Sequence, residues 1–263
     1  MTAEHPKTNQ QREDPDPTRA LELLWDVRAA GRRGPRQTLK LRQIVAAATA
    51  IVDAEGFDAL SMRQVATRLG VGVASLYTYV PSREVLLALI LDAAIGEGEL
   101  PHTYPGTWRE KLEAWARADW QDYRNHPWAL RLAGVRPLTG PNMLAYLESA
   151  LSVLADTPLT ELEKVAVVES LDGYIRGQAY RASVEDSDAR TGEDASVDSW
   201  NAAQDSFLEQ HADLERYPVF LRAAMAGGFG DAEATFEFGL ARLLDGVANL
   251  VAQRAGSADG VET

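Results

Sequence analysis

Between Ser61 and Tyr79 the sequence reads SMRQVATRLGVGVASLYTY: two apolar stretches of helical period, each about two turns long, split by Leu69-Gly70-Val71-Gly72. Helices this short are marginal alone, so both must be buried in a compact unit. The glycines permit a sharp turn between them. Ser61 with Gln64 three residues later has capping-box spacing. Met62, Val65, Ala66 and Leu69 share one face of the first helix. Upstream, Leu41, Ile44, Val45, Ala48, Ile51 and Val52 lie on one helical face, and Gly56 is expected to end that helix as a left-handed cap. Downstream, Pro81 stops the second short helix. Ser82 then caps another, with Val85, Leu86, Leu89, Ile90 and Ala93 on its face. Two short helices in this layout make a helix-turn-helix, whose second member need only lie across one major groove. The same pattern also serves as an ordinary packed core.

The rest of the chain keeps the helical period, with helices expected near 107–125, 127–134, 140–156, 159–185, 197–214, 217–227 and 231–254. Pro and Gly clusters or polar stretches separate them, including Asp186–Ser196. No alternating strand pattern occurs, so the fold class is all-α. Three parts are expected: an N-terminal arm over 1–37, a helix-turn-helix head over 38–83, and a helical body over 84–263. The Pro-rich start, residues 1–18, is expected to be disordered. Leu21–Trp25 is expected to form a helical turn or two, and GRRGP leaves a basic arm carrying Arg32, Arg33 and Arg36.

Charge separates head from body. From Arg28 to Arg83 there are nine basic and three acidic residues, a balance of +6, in a chain whose formal total is −13, which leaves −19 for the remainder. Phosphate attraction is screened within about 8 Å at physiological salt, so a local basic patch can bind DNA while an acidic body stays clear of it. No apolar run is long enough for a membrane span, and the N-terminus has no signal pattern. With no cysteine there is neither a disulfide framework nor a thiolate metal site, which fits a cytoplasmic protein. The four histidines, His5, His102, His126 and His211, are isolated in sequence. With no nucleophile motif and no phosphate loop, the residues do not support an enzyme, and no cofactor or metal is implied. A helical protein-binding or architectural module with a vestigial helix-turn-helix is the alternative reading.

The run Ser61–Arg83, SMRQVATRLGVGVASLYTYVPSR, resembles the DNA-binding head of the TetR family, including the Leu-Tyr pair late in the second short helix. The flanks LLWDVRAAGRRGP, PGTWRE, HPWALRL, RPLTGPNML, SLDGYIRGQA, RYPVFL and FEFGLARLLDGVANLV are similar to an actinobacterial branch with a TetR-like C-terminal domain. The resemblance implies a ligand-responsive dimeric regulator, commonly a repressor. It would bind a palindromic operator on double-stranded DNA and release it when a small molecule in the body changes the head spacing.

Within the head, Arg63 has a planar fork that suits guanine O6 and N7, with a surface salt bridge as the other role. Val73, Ala74, Ser75 and Thr78 offer small side chains to the groove. Tyr77 and Tyr79 match family positions that bond phosphates, although one of these rings can instead belong to the core. Ser61 and Arg83 are expected as backbone clamps. Arg32, Arg33 and Arg36 either enter a minor groove or remain a solvated linker. The resemblance also implies dimerisation through two long helices. Leu171, Gly173, Ile175 and Gly177 stand in the first, and Phe238, Leu243, Gly246, Val247 and Leu250 in the second; an intramolecular core would look much the same. Small-molecule candidates in the aromatic body are Trp120, Tyr123, Trp128, Met143, Tyr146, Tyr174 and Gln178, against an aromatic core without a site.

Overall fold

The computed structural model describes residues 17–27, 39–133, 138–190, 203, 206–208, 210–211, 213–228 and 231–259. Every regular element among them is helical, as expected. Of the expected arm over 1–37, residues 17–27 are described, whereas Arg32, Arg33 and Arg36 lie outside the described residues, as does most of the helix expected over 197–214. The chain divides into two compact units, residues 1–97 with 135–144, and residues 98–134 with 145–263.

The first unit contains α1 (Pro17–Leu24), α2 (Leu41–Glu55), α3 (Met62–Leu69), α4 (Val73–Tyr79) and α5 (Arg83–Ile95). Its core follows the periodic faces: Ile44, Ala48, Ile51 and Val52 from α2, Met62, Val65 and Ala66 from α3, Leu76 from α4, and Val85, Leu86, Leu89 and Ile90 from α5. α1 packs on α5 and buries Ala20 and Leu24.

Gly70 ends α3 in the left-handed conformation (φ 68°, ψ 29°), and Val71 N–H donates back to the Ala66 carbonyl at 3.0 Å, closing a Schellman motif. Gly56 departs from expectation. Its φ is positive (84°) but its ψ is extended (167°), so α2 leads straight into a 3-10 turn, Phe57–Ala59, instead of a left-handed cap. The capping box is half formed. Ser61 Oγ accepts from Gln64 N at 3.2 Å, while the Gln64 amide turns away to donate to Glu55 Oε2 at 3.2 Å.

The second unit is built from α6 (Trp108–Asn125), α7 (Trp128–Ala133), most of α8 (Pro141–Ser152), α9 (Glu161–Arg190), α10 (Pro218–Met225) and α11 (Ala232–Asp259). Thr107 and Glu110 cap α6 reciprocally, Thr107 N donating to Glu110 Oε2 at 2.7 Å. α6, α9 and α11 pack together around Leu112, Trp115, Ala116, Trp120, Val168, Leu171, Ile175, Phe236, Leu240 and Leu244. α9 continues to Arg190, through the first part of the break expected at 186–196, and α11 continues five residues beyond the expected 254. No described helix is long and apolar enough to cross a membrane.

Candidate nucleic-acid interface and interior site

α4 commits one residue to the core and offers the others. Leu76 is fully buried, whereas Val73, Ala74, Ser75, Tyr77 and Thr78 are exposed, Tyr77 by 47%. The opposition is the helical period at work, since Leu76 must face α3 and its sequence neighbours then point elsewhere. Thr78 Oγ1 donates to the Ser75 carbonyl at 2.7 Å, which leaves its methyl group as the more available surface. Tyr79 is half-buried, between its two expected roles. Arg63 stands exposed in the first turn of α3. Ser61, expected as a phosphate clamp, caps α3 with its oxygen. Arg83 is engaged within the chain: Nε donates to the Leu60 carbonyl at 3.1 Å and the guanidinium lies 5.0 Å from the Phe57 ring centroid.

The interior of the second unit is aromatic and acidic. Trp120 stacks on Phe236 (centroids 4.7 Å apart), Tyr174 stacks on the same ring (5.9 Å), and the Arg124 guanidinium covers Trp120 at 5.0 Å. Trp120 Nε1 is buried without a hydrogen-bond partner among the described residues. Tyr146 donates its hydroxyl to Asp119 and accepts from Trp115 Nε1. Burial drives the Asp119 carboxyl up to about 7, against the lowering hydrogen bonds of Tyr146 and Trp115 and with added repulsion from Asp172 and Asp122. Burial likewise raises Tyr123, Tyr146 and Asp172.

Of the small-molecule candidates, Trp120, Tyr123, Trp128, Tyr146, Tyr174 and Gln178 all belong to this unit. Met143 belongs to the first unit, where its N–H is held by Asp92. Tyr174 is a latch between helices, its hydroxyl set against the α11 carbonyls of Thr235 (3.0 Å) and Phe236 (2.8 Å). His102, isolated in sequence, meets Ser149 at 2.7 Å through Nδ1. Ser149 is buried and its Oγ also accepts the His102 N–H at 3.0 Å, so the pair fastens the 3-10 turn Pro101–Thr103 to α8.

The residues named for the dimer face divide in two. Leu171, Ile175 and Val247 are buried in this chain's own core, because α9 and α11 need an apolar face toward each other first. Gly173, Gly177, Phe238 and Gly246 lie exposed on those helices, with Leu243 and Leu250 half-buried.

Asp119, Asp92 and the Arg83–Phe57 stack were missed from the sequence. An acid one turn past Leu89 and two turns past Val85 on a buried helix, and a helix starting Gly140-Pro141-Asn142 without its own capping side chain, were the available signals.

A short glycine-turned helix pair with a solvent-facing second helix, joined in one chain to an all-helical body, defines a helix-turn-helix DNA-binding protein. Residues 44–94 match the family described as bacterial regulatory proteins, tetR family, and residues 100–251 match the tetracyclin repressor-like C-terminal domain. The chain is 42% identical over 246 residues to the HTH-type transcriptional repressor DrrR1 of Streptomyces coeruleorubidus, covering 92% of this chain and 89% of that one. It is 34% identical over 210 residues to an HTH-type transcriptional regulator of Saccharopolyspora erythraea, covering 78% and 83%. Among solved structures, apo ActR from Streptomyces coelicolor superposes with a TM-score of 0.68 at 28% identity, covering 85% of this chain and 100% of ActR. ActR in complex with actinorhodin gives 0.68 at 29%, covering 80% and 96%. The chain belongs to the TetR family of transcriptional regulators.

Proposed function

We propose that this protein is a ligand-responsive, homodimeric repressor. It binds a palindromic operator through α3 and α4 and leaves the DNA when a small molecule in the body moves the two heads out of step. The carrying observation is the α4 surface, where only Leu76 is fully buried while Val73, Ala74, Ser75, Tyr77 and Thr78 face solvent. Small side chains allow close backbone approach and contact with thymine methyls, so Arg63 and the shape of the DNA carry much of the specificity.

One head covers few base pairs, and two heads on half-sites about one helical turn apart supply the affinity. The similarity to a repressor and to an ActR complex with actinorhodin supports the ligand-responsive reading. It also disfavours a vestigial helix-turn-helix. The effector is assigned to the interior lined by Trp120, Tyr123, Trp128 and Tyr146. DNA and effector must weaken each other by the same factor. Such a protein acts where the chromosome is, in the cytoplasm.

The test is selection from a random duplex pool at about 150 mM salt, a concentration that suppresses purely electrostatic binding. An enriched inverted repeat is the expected result. Retention without sequence preference would instead favour a module that holds DNA by charge alone.

A further inference from the structure

The first turn of α8 is capped by another helix. Gly140 precedes it without a side chain, Pro141 has no N–H to satisfy, and Leu144 N–H returns to the Gly140 carbonyl at 3.0 Å. That leaves the N–H groups of Asn142 and Met143. Both are met by the Asp92 carboxylate of α5, at 3.4 Å and 3.0 Å. Asn142 reciprocates, its Nδ2 donating to the Asp92 main-chain carbonyl at 2.9 Å. Asp92 is only 6% exposed, on a helix that also buries Leu89 and Ile90. A Cβ at Gly140 would stand 2.2 Å from Asp92 Oδ1, so glycine is required for this approach. The same segment is held again where Trp25 Nε1, just after α1, donates to the Thr139 carbonyl at 3.0 Å.

One turn further along α8, Tyr146 donates its hydroxyl to Asp119 in the interior of the second unit. A single helix therefore bears the residues capped by α5 and, three positions past Met143, a residue of the proposed effector site. The connection is covalent, along the α8 backbone.

We propose that Asp92 is a positioning residue for the DNA-reading head: through its cap on α8 it carries the state of the Tyr146–Asp119 pair to α5. This inference rests on the ligand-responsive reading above. An effector that draws Tyr146 away from Asp119 shifts α8. α5 must then follow or release the cap, and either response changes the setting of the helix that follows the recognition helix.

A double-mutant cycle on operator affinity tests this in the full chain without any effector. Tyr146→Phe removes the hydroxyl that Asp119 holds. Asp92→Asn places an amide donor against one of the two N–H groups. Tyr146→Phe should shift the operator Kd by about fivefold in the native background and by less than about twofold beside Asp92→Asn. Gly140→Ala, which wedges a methyl group against the carboxylate and leaves every polar partner in place, should abolish the coupling in the same way. It also serves if Asp92→Asn does not fold. An equal Tyr146→Phe effect in all backgrounds, including no effect in any, overturns the proposal. Failure of the native chain itself to select an operator overturns the proposed function as well, and is seen before any variant is made.

Discussion

Arg83 lays its guanidinium over the Phe57 ring at 5.0 Å while its Nε donates to the Leu60 carbonyl at 3.1 Å. One planar side chain thus ties the first residue of α5 to the turn that precedes α3. Lysine retains the positive charge but neither the stacked plane nor the directed Nε. Arg83→Lys should therefore destabilise the protein by about 1–2 kcal/mol, read from urea unfolding. A variant as stable as the native chain would mean that Arg83 acts through charge alone.

Arg63 is exposed at the start of α3, the first helix of the helix-turn-helix. If it forks onto a guanine, Arg63→Ala should lose about 1–3 kcal/mol of discrimination at one base pair of each half-site. Competition binding against operators changed at single positions measures this. Uniform weakening across every sequence would identify a phosphate contact instead.

The head was legible because its signals are local. Ser61, Gly70, Pro81 and Ser82 mark helix ends within a few residues of the faces they bound, and Leu76 is the apolar position that must be buried. The body was legible only as helices and aromatics. Whether Tyr174 faces a ligand or latches two helices depends on carbonyls at Thr235 and Phe236, some sixty positions away, and no periodicity reports that distance. Leu171 and Ile175 were read as interface for a similar reason, since an apolar stripe does not say which helix covers it.

Tyr174 also accounts for one glycine of α11. A Cβ on Gly239 would meet the Tyr174 hydroxyl at 2.2 Å. Gly239→Ala should push the ring out of its stack on Phe236 and cost about 1–3 kcal/mol, despite alanine's better helix propensity. Adding Tyr174→Phe should recover part of that loss by removing the clashing oxygen. Thermal unfolding of the single and double variants checks it, and strictly additive effects would exclude the clash.

Asp119 sets a pH dependence whose sign is fixed by burial. With its carboxyl raised to about 7, the folded chain holds a proton that the unfolded chain releases at the ordinary carboxylate value near 4. Its contribution to stability is therefore complete below about pH 4 and is lost as pH rises through about 7. Asp119→Asn keeps an acceptor for Tyr146 but has no proton to lose. Urea midpoints compared at about pH 5 and about pH 8 should fall less for the variant than for the native protein. Equal falls would show that Asp119 is ionised throughout the range.

Gly173, Gly177 and Gly246 are exposed on α9 and α11, and a Cβ built on any of them meets nothing within 4 Å. None has a positive φ, so neither the backbone nor this chain's own packing requires glycine there. Glycine inside a helix costs about 1 kcal/mol relative to alanine, a loss left uncompensated within one chain. Close approach of the same helices from a second copy would compensate it, and Phe238 on α11, 67% exposed, would be covered by the same approach. Gly177→Leu should accordingly leave the helical content and fold of the single chain intact while weakening self-association by at least about tenfold. Sedimentation over a dilution series reads both species. An unchanged dimer constant would remove α9 from the interface and leave its glycines unexplained.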